Sequence, residues 1–412
     1  MRKKSKNKKR FVIVFFLLCS IPLFSRNYLD HLISEAKSWV SPIGTIPTNN
    51  KPGDVVQVSL FQHNPTLQTK LHYLSLGTLP TPIKKLQSLG SDLNMPNFYL
   101  KDDGHINQYF GGSLVRKLEF ILADAKANDA HYVMSKSFFG AESMLALAFY
   151  AKQLDVQTIS ILYYKQNSEL LRQNLLATAY YDAETHYHPS GLVCDTAALN
   201  IFLEAERTRQ YKSYPYLISE GLSNELGAVA FVNAAFELKD QIDAGVIPEP
   251  DYIFVPFATM GMAAGLLIGI KALGLKSKVV CVRVEANAEE QALLSYVYGV
   301  QQLLRSLDSS FMSVPITTDD FIVRSDFYGA LSSELETKIA LDKNRLQNRE
   351  SIVLDALYSD KAFSACVSTI EEKKWYDKVI LFWNTVSNFD FSTVLKRITY
   401  TKLPENLHKF FQ

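Results

Sequence analysis

The chain has 412 residues, of which 47% are hydrophobic and 21% charged, a composition that excludes wholesale disorder and leaves room for one large two-lobed unit or two to three domains. Its net charge of +1 hides an asymmetry, because the first ten residues, MRKKSKNKKR, carry seven cations and the remainder is mildly acidic. No basic face for nucleic acid is implied.

Residues 1–10 read as a basic cytoplasmic tail, and the uncharged run FVIVFFLLCSIPLF (Phe11 to Phe24) opens a signal anchor or transmembrane segment over 11–27. Large residues at Leu23 and Phe24 make a poor cleavage site, so an uncleaved single-pass anchor is preferred to a removed signal. The cation excess places the N-terminus in the cytoplasm and the main domain across the membrane; if the segment is cleaved, the product is secreted. Residues 28–71 mix short apolar runs with loop chemistry such as SPIGTIPTNNKPGD and read as a stalk and lead-in. Outside the anchor only Cys194, Cys281 and Cys366 remain, widely spaced, which argues against a disulfide framework and a zinc site.

From Leu76 onward strand-like runs alternate with amphipathic stretches. VRKLEFILADAKAND (from Val115) has helical spacing; HYVMS is a strand, ESMLALAFYAKQL a helix and VQTISILYY a strand. DYIFVPF, AAGLLIGIKALGL and SKVVCVRVE form a βαβ unit between Asp251 and Glu285. The fold class is therefore α/β, with parallel-rich sheets flanked by helices, and function is expected on loops at the carboxyl ends of the strands.

Collinear segments then carry a resemblance. LGTLPTPIKKL (Leu76 to Leu86), FYLKDDG (Phe98 to Gly104), FGGSLVRKLEF (Phe110 to Phe120), GLSNELGAVAFVNAAFEL from Gly221, NAEEQ (Asn287 to Gln291), SIVLDALYSDKAF (Ser351 to Phe363) and VILFWNTVSN (Val379 to Asn388) follow one another as in the aminocyclopropane-carboxylate deaminase and D-cysteine desulfhydrase family. The chain resembles that family over about residues 72–390, which implies the two-lobed tryptophan synthase β-like fold over 72–412, with a smaller lobe at about 117–225. The resemblance also implies pyridoxal phosphate as cofactor, deaminase or desulfhydrase chemistry, and a homodimer.

The functional residues do not carry over. Where the family reads F-G-G-N-K, with a lysine that links covalently to the cofactor, this chain has Gly111, Gly112, Ser113 and Leu114. Leucine can neither condense with an aldehyde nor accept a proton. The glycine-rich phosphate turn corresponds to Ala258, Thr259, Met260, Gly261 and Met262, where methionines would crowd an anion; an ordinary turn capped by Thr259 is the simpler reading. The substrate loop G-G-x-Q-S-N-H corresponds to Lys136, Ser137, Phe138, Phe139, Gly140, Ala141 and Glu142, and Glu142 would repel a substrate carboxylate. Leu114, Phe138, Phe139, Met260 and Met262 are expected to fill the former pocket.

Tyr358, Thr385, Ser223 and Asn224 keep family identities, as relics of the site or as a core aromatic, a strand end and a helix cap. Lys117 and Lys136 are the lysines that could substitute for the missing one. His186 and His188 lack a third ligand, so no metal is expected. The expectation is a membrane-anchored homologue without catalysis or cofactor, acting through an unidentified protein or small-molecule partner. The alternative is an active lyase or deaminase holding pyridoxal phosphate through an unusual lysine.

Overall fold

The computed structural model describes residues 58–208 and 213–412, with only the backbone of 205–208 described. The expected tail and anchor lie outside these residues. No helix among the described residues is long and apolar enough to cross a membrane.

Among the described residues, ten strands form two sheets. β1 (Ile83–Lys85), β2 (Phe98–Asp102), β7 (Tyr252–Phe257), β8 (Lys278–Arg283), β9 (Phe321–Arg324) and β10 (Ile380–Asn384) make the larger, in the order β1-β2-β10-β7-β8-β9. Only the β1–β2 pair is antiparallel. The smaller sheet, ordered β5-β4-β3-β6, comprises β3 (Tyr132–Phe138), β4 (Gln157–Tyr163), β5 (Glu184–His188) and β6 (Tyr216–Ile218), all parallel. The long helices are α1 (Leu114–Ala127), α2 (Glu142–Gln153), α3 (Glu169–Tyr180), α4 (Gly191–Thr208), α5 (Glu225–Asp243), α6 (Gly261–Ala272), α7 (Glu290–Leu307), α8 (Ser333–Glu350) and α9 (Ser359–Lys373).

The large sheet is buried on both faces, and its side chains sort with period two. Ile253, Val255, Val279, Cys281, Leu381 and Trp383 enter the core beneath α5, α6 and α7. Phe254, Val280, Val282, Ile380 and Phe382 enter the opposite core with α9. In the small sheet Val133 and Leu162 face the core shared with α1, α2 and α3, whereas Met134, Ile159 and Ile161 face α4 through Cys194 and Ile201. Such strands read as near-continuous apolar runs because neither face meets water.

The lead-in expected over 28–71 is already part of this body from Val58 onward. Val58, Leu60, Phe61 and Leu67, in and beside two short helices (Ser59–His63 and Pro65–Gln68), are buried in the large-lobe core. The Leu60 amide donates to Asn233 Oδ1 on α5 (2.9 Å).

A buried charge network knits β2, α1 and α5 together. Arg116 reaches Asp103 with Nη2 and Glu237 with Nη1, both at 2.8 Å, and Lys101 Nζ reaches Glu237 Oε1 at 2.6 Å. All four side chains are at most 3% exposed. Two cations against two carboxylates leave no net buried charge, and Thr81, Gln241 and the indole N–H of Trp383 take up further hydrogen-bonding sites. The carboxyl of Glu237 is held down at about 2, since Arg116 and Lys101 outweigh the effect of its burial.

Candidate functional site

The residues after β4 and β8 meet in the Lys165–Glu285 pair, and the entries to α1 and α6 are tied nearby, by Ser113 to Thr385 and by Ser223 to Thr259. The entry to α1 is the tightest of these. A Cβ on Gly111 would lie 1.9 Å from the carbonyl oxygen of Gly104. Gly112 has φ +93°, and a Cβ there would meet the Thr385 carbonyl at 3.0 Å. Glycine is required at both positions, by contact at the first and by both contact and dihedral at the second. The Ser113 amide then donates to the Thr385 carbonyl (3.2 Å), and Leu114 begins α1 half-buried against the small-lobe core. This tight backbone setting thus opens α1 on a leucine.

At the second helix entry Met260 is the N-cap of α6, in left-handed backbone (φ +65°) without a side-chain cap. A non-glycine residue held there costs about 1–2 kcal/mol. Thr259 is not the cap that the sequence suggested. Its hydroxyl bonds instead to Ser223 Oγ (2.7 Å), which also receives Lys117 Nζ (2.7 Å). Lys117 donates a second bond to the Gly221 carbonyl (2.9 Å), and burial pushes its amine down to about 7. Met262 is buried in the large-lobe core and Met260 packs half-buried beside it. The retained Asn224 is a helix cap, accepting from the Gly227 amide at 2.8 Å.

The third entry follows the expected substrate loop. Gly140 has φ +70°, and a Cβ on it would strike the Leu171 carbonyl at 2.1 Å, so contact with α3 demands glycine here. Asn174 Nδ2 fixes the Gly140 carbonyl from the same helix (2.8 Å). Ala141 is the N-cap of α2 and Glu142 its first residue. The repulsive charge expected of Glu142 is corrected by its surroundings. Burial, with Asp355 nearby, raises its carboxyl to about 8 against a hydrogen bond from the Ser387 backbone, so at neutral pH it is mostly protonated.

The two phenylalanines of the loop part company. Phe138 lies under Lys165 Nζ (4.8 Å to the ring centre) and edge-on to Tyr163. Phe139, expected to fill the cleft, is fully buried and stacks on Phe410 of the C-terminal segment (4.7 Å, 15°). Lys136 is paired with Asp195 on α4.

Tyr358 donates from its hydroxyl to Glu285 Oε1 (3.1 Å), the oxygen that Lys165 Nζ reaches at 2.8 Å. Asp355 accepts from the amides of Leu357 and Tyr358 (2.8 Å each), fixing the turn before α9. Lys165, Glu285 and Asp355 escaped the sequence reading. The only signal for them was position, Lys165 and Glu285 each lying two residues beyond the end of a parallel strand. No group of three or more metal-ligating side chains is found among the described residues.

These residues do not fit a cofactor held through a lysine at the head of α1. Leu114 has no amine, Lys117 and Lys136 are engaged elsewhere, and the left-handed position of the phosphate turn carries a methionine.

The fold is an α/β one, with two parallel-rich sheets flanked by helices. The model of the family "Pyridoxal-phosphate dependent enzyme" matches residues 74–385, and the chain belongs to that family. It is 29% identical over 337 residues to the D-cysteine desulfhydrase of Yersinia enterocolitica, covering 78% of this chain and 96% of the relative. It is 27% identical over 328 residues to that of Klebsiella pneumoniae strain 342, covering 77% and 94%. The fold matches the crystal structure of an ACC deaminase homologue with a TM-score of 0.67 at 24% identity, over 82% of this chain and 98% of that one. It also matches a tomato (Solanum lycopersicum) threonine deaminase with a TM-score of 0.52 at 12% identity, over 87% and 92%.

Proposed function

We propose that this chain is a membrane-anchored member of its family that has given up the family's chemistry and acts by binding, as a scaffold or as a receptor for a small ligand. One observation carries the reading: Leu114 stands at the head of α1, in a backbone setting built by Gly111, Gly112 and Thr385. Condensation with an aldehyde needs an amine, which leucine lacks. Met260, in left-handed backbone at the entry to α6, points the same way.

The test is an absorbance spectrum of the purified full chain after incubation with pyridoxal phosphate, followed by borohydride reduction and peptide mapping. The expected result is no visible band and no labelled lysine; a band with label on a single lysine in the cleft overturns the reading. Thermal-shift screening against amino acids and phosphorylated metabolites then searches for the ligand.

The second reading is a working lyase or deaminase acting on a small amino acid through Lys117. Its support is that burial lowers the Lys117 amine to about 7, so a substantial fraction is neutral and nucleophilic at physiological pH. The same borohydride experiment decides between the two, since only this reading yields a labelled Lys117.

The anchor puts the main domain outside the cytoplasm, and protease added to intact cells would then degrade it; protection would place it inside. Family resemblance suggests a homodimer, which sedimentation of the detergent-solubilised chain would report.

A further inference from the structure

A depression of about 250 Å³ lies between the last turn of α6, the turn that follows it and the start of β8. Lys271, in that last turn, stands about 15 Å along the helix from Gly261, so the depression is separate from the helix entries described above. Its lining is apolar below and cationic at the rim. Leu267, Ile270 and Leu275 are at most 8% exposed. Lys271, Lys276 and Lys278 supply the rim, the last two exposed. Asp320 is the one carboxylate in the lining, and its charge is already answered. Lys271 Nζ reaches it at 2.6 Å, and the Thr317 amide donates to it at 2.8 Å. Glu249 accepts from the Lys276 amide at 2.5 Å and offsets part of the neighbouring charge. Lys276 and Lys278 are left without an ion pair among the described residues. The end of α6 does not present bare carbonyls to an anion, because the amides of Leu273, Gly274 and Leu275 donate to Gly269, Lys271 and Ile270.

A second observation points to a ligand independently of charge. Ser277, between the two exposed lysines in sequence, lines the same depression and is 5% exposed, yet its hydroxyl has no hydrogen-bond partner. Nearly all buried hydroxyls find a partner, because leaving one unpaired is unfavourable. A serine hydroxyl swings about a single torsion, so a guest in the depression can supply the missing acceptor. The chemistry of the lining then selects the guest. Ammonium and hydroxyl donors outnumber the acceptors, which calls for an anionic head. Two unanswered lysines match a phosphate monoester, which carries about −1.5 to −2 charge at neutral pH. Lysine meets phosphate as a point charge, without the planar fork that a carboxylate rewards. The three aliphatic side chains call for a hydrocarbon body, and a volume below the about 300 Å³ of the smallest drug-sized sites keeps it short.

We propose that this depression binds a small phosphate monoester, with Lys276, Lys278 and Ser277 on its head and Leu267, Ile270 and Leu275 against its apolar body. The site does not rest on the loss of catalysis proposed above, since none of its residues belongs to the entries of α1, α2 or α6.

The experiment is isothermal titration calorimetry of the full chain with hexyl phosphate. Saturable binding is expected, with a dissociation constant at or below about 1 mM. Inorganic phosphate lacks the body and hexanol lacks the head, and each is expected to bind at least about tenfold more weakly. Lys276→Gln combined with Lys278→Gln is expected to weaken hexyl phosphate by about tenfold or more. Ser277→Ala is expected to weaken it about three- to tenfold. Without ligand, the thermal midpoint of Ser277→Ala should equal or exceed that of the parent, because the hydroxyl removed is unpaired. Flotation with phosphatidylcholine vesicles, with and without phosphatidic acid, then separates two sources of the same head. A gain with phosphatidic acid that the double lysine variant loses supports the site with a lipid as its guest. Equal flotation beside saturable hexyl phosphate binding supports it with a soluble ester. The proposal is overturned by an absence of saturable hexyl phosphate binding, by inorganic phosphate binding as tightly, or by lysine and serine variants that bind as the parent does.

Discussion

The amide of Ser113 and the carbonyl of Thr385 meet at 3.2 Å, tying the entry of α1 to the end of β10 and setting Leu114 beside the cleft. Because that tie is made by main chain, exchanging the side chain at 114 leaves it intact. Leu114→Lys should therefore fold with a thermal midpoint within a few degrees of the parent. It should still fail to hold pyridoxal phosphate, because Met260 keeps its position in left-handed backbone. Adding Met260→Gly and Glu142→His restores one family identity in the turn and one in the loop and is expected to produce a visible absorbance band. A band from Leu114→Lys alone would show that the turn and loop departures matter little.

The carboxyl of Glu142 predicts a particular dependence of stability on pH. Its pKa is raised in the folded state, so between the ordinary glutamate range and about 8 the folded chain binds a proton that the unfolded chain has released. Stability relative to acid is then lost as pH rises through this window. Glu119 is raised to about 8 as well, chiefly by burial, so the parent protein reports both groups. Glu142→Gln keeps an acceptor for the Ser387 amide and removes one titration. The variant should lose less stability than the parent between pH 5 and pH 8.5 in urea unfolding. Parallel curves would mean that Glu142 is ionised throughout.

Arg116 predicts the cost of unbalancing buried charge. Arg116→Met leaves Asp103 and Glu237 facing Lys101 alone, and removing one partner from such a network typically costs about 3–5 kcal/mol. Arg116→Lys keeps the charge but cannot reach both carboxylates through a planar fork, and should recover part of that loss. Both are measured by the urea midpoint. A loss below about 1 kcal/mol for Arg116→Met would show that water reaches the cluster.

The C-terminal segment is expected to be a structural part of the small lobe. Leu407 is fully buried in its core, and Phe410 covers Phe139. Leu407→Ala should cost about 2–5 kcal/mol. Exchange should rise first in α2, α3 and β4 rather than in the large sheet. Equal loosening of both lobes would place Leu407 in a single cooperative core.

Much of this architecture was legible in the sequence. DYIFVPF and SKVVCVRVE became β7 and β8, and ESMLALAFYAKQL became α2, because apolar runs of those lengths bounded by turn chemistry have few other solutions. The departures at Leu114 and Met260 were legible too, since each occupies a fixed place in a recognisable segment. The state of Glu142 was not, because it depends on burial and on Asp355, far along the chain. Nor was the pairing of Lys165 with Glu285, 120 residues apart and joined only when two sheets face each other. Phe139 was misplaced for the same reason: the ring it stacks on belongs to the last few residues of the chain.

Lys117 ties together the two places where the chain crosses between the sheets. The chain leaves the large lobe along α1 and returns through Gly221 and Ser223, and the amine of Lys117 bonds to both of the latter. Departure and return are thus pinned within the length of one side chain. One ammonium group therefore holds the two crossings of the chain to each other, independently of the main-chain tie between Ser113 and Thr385.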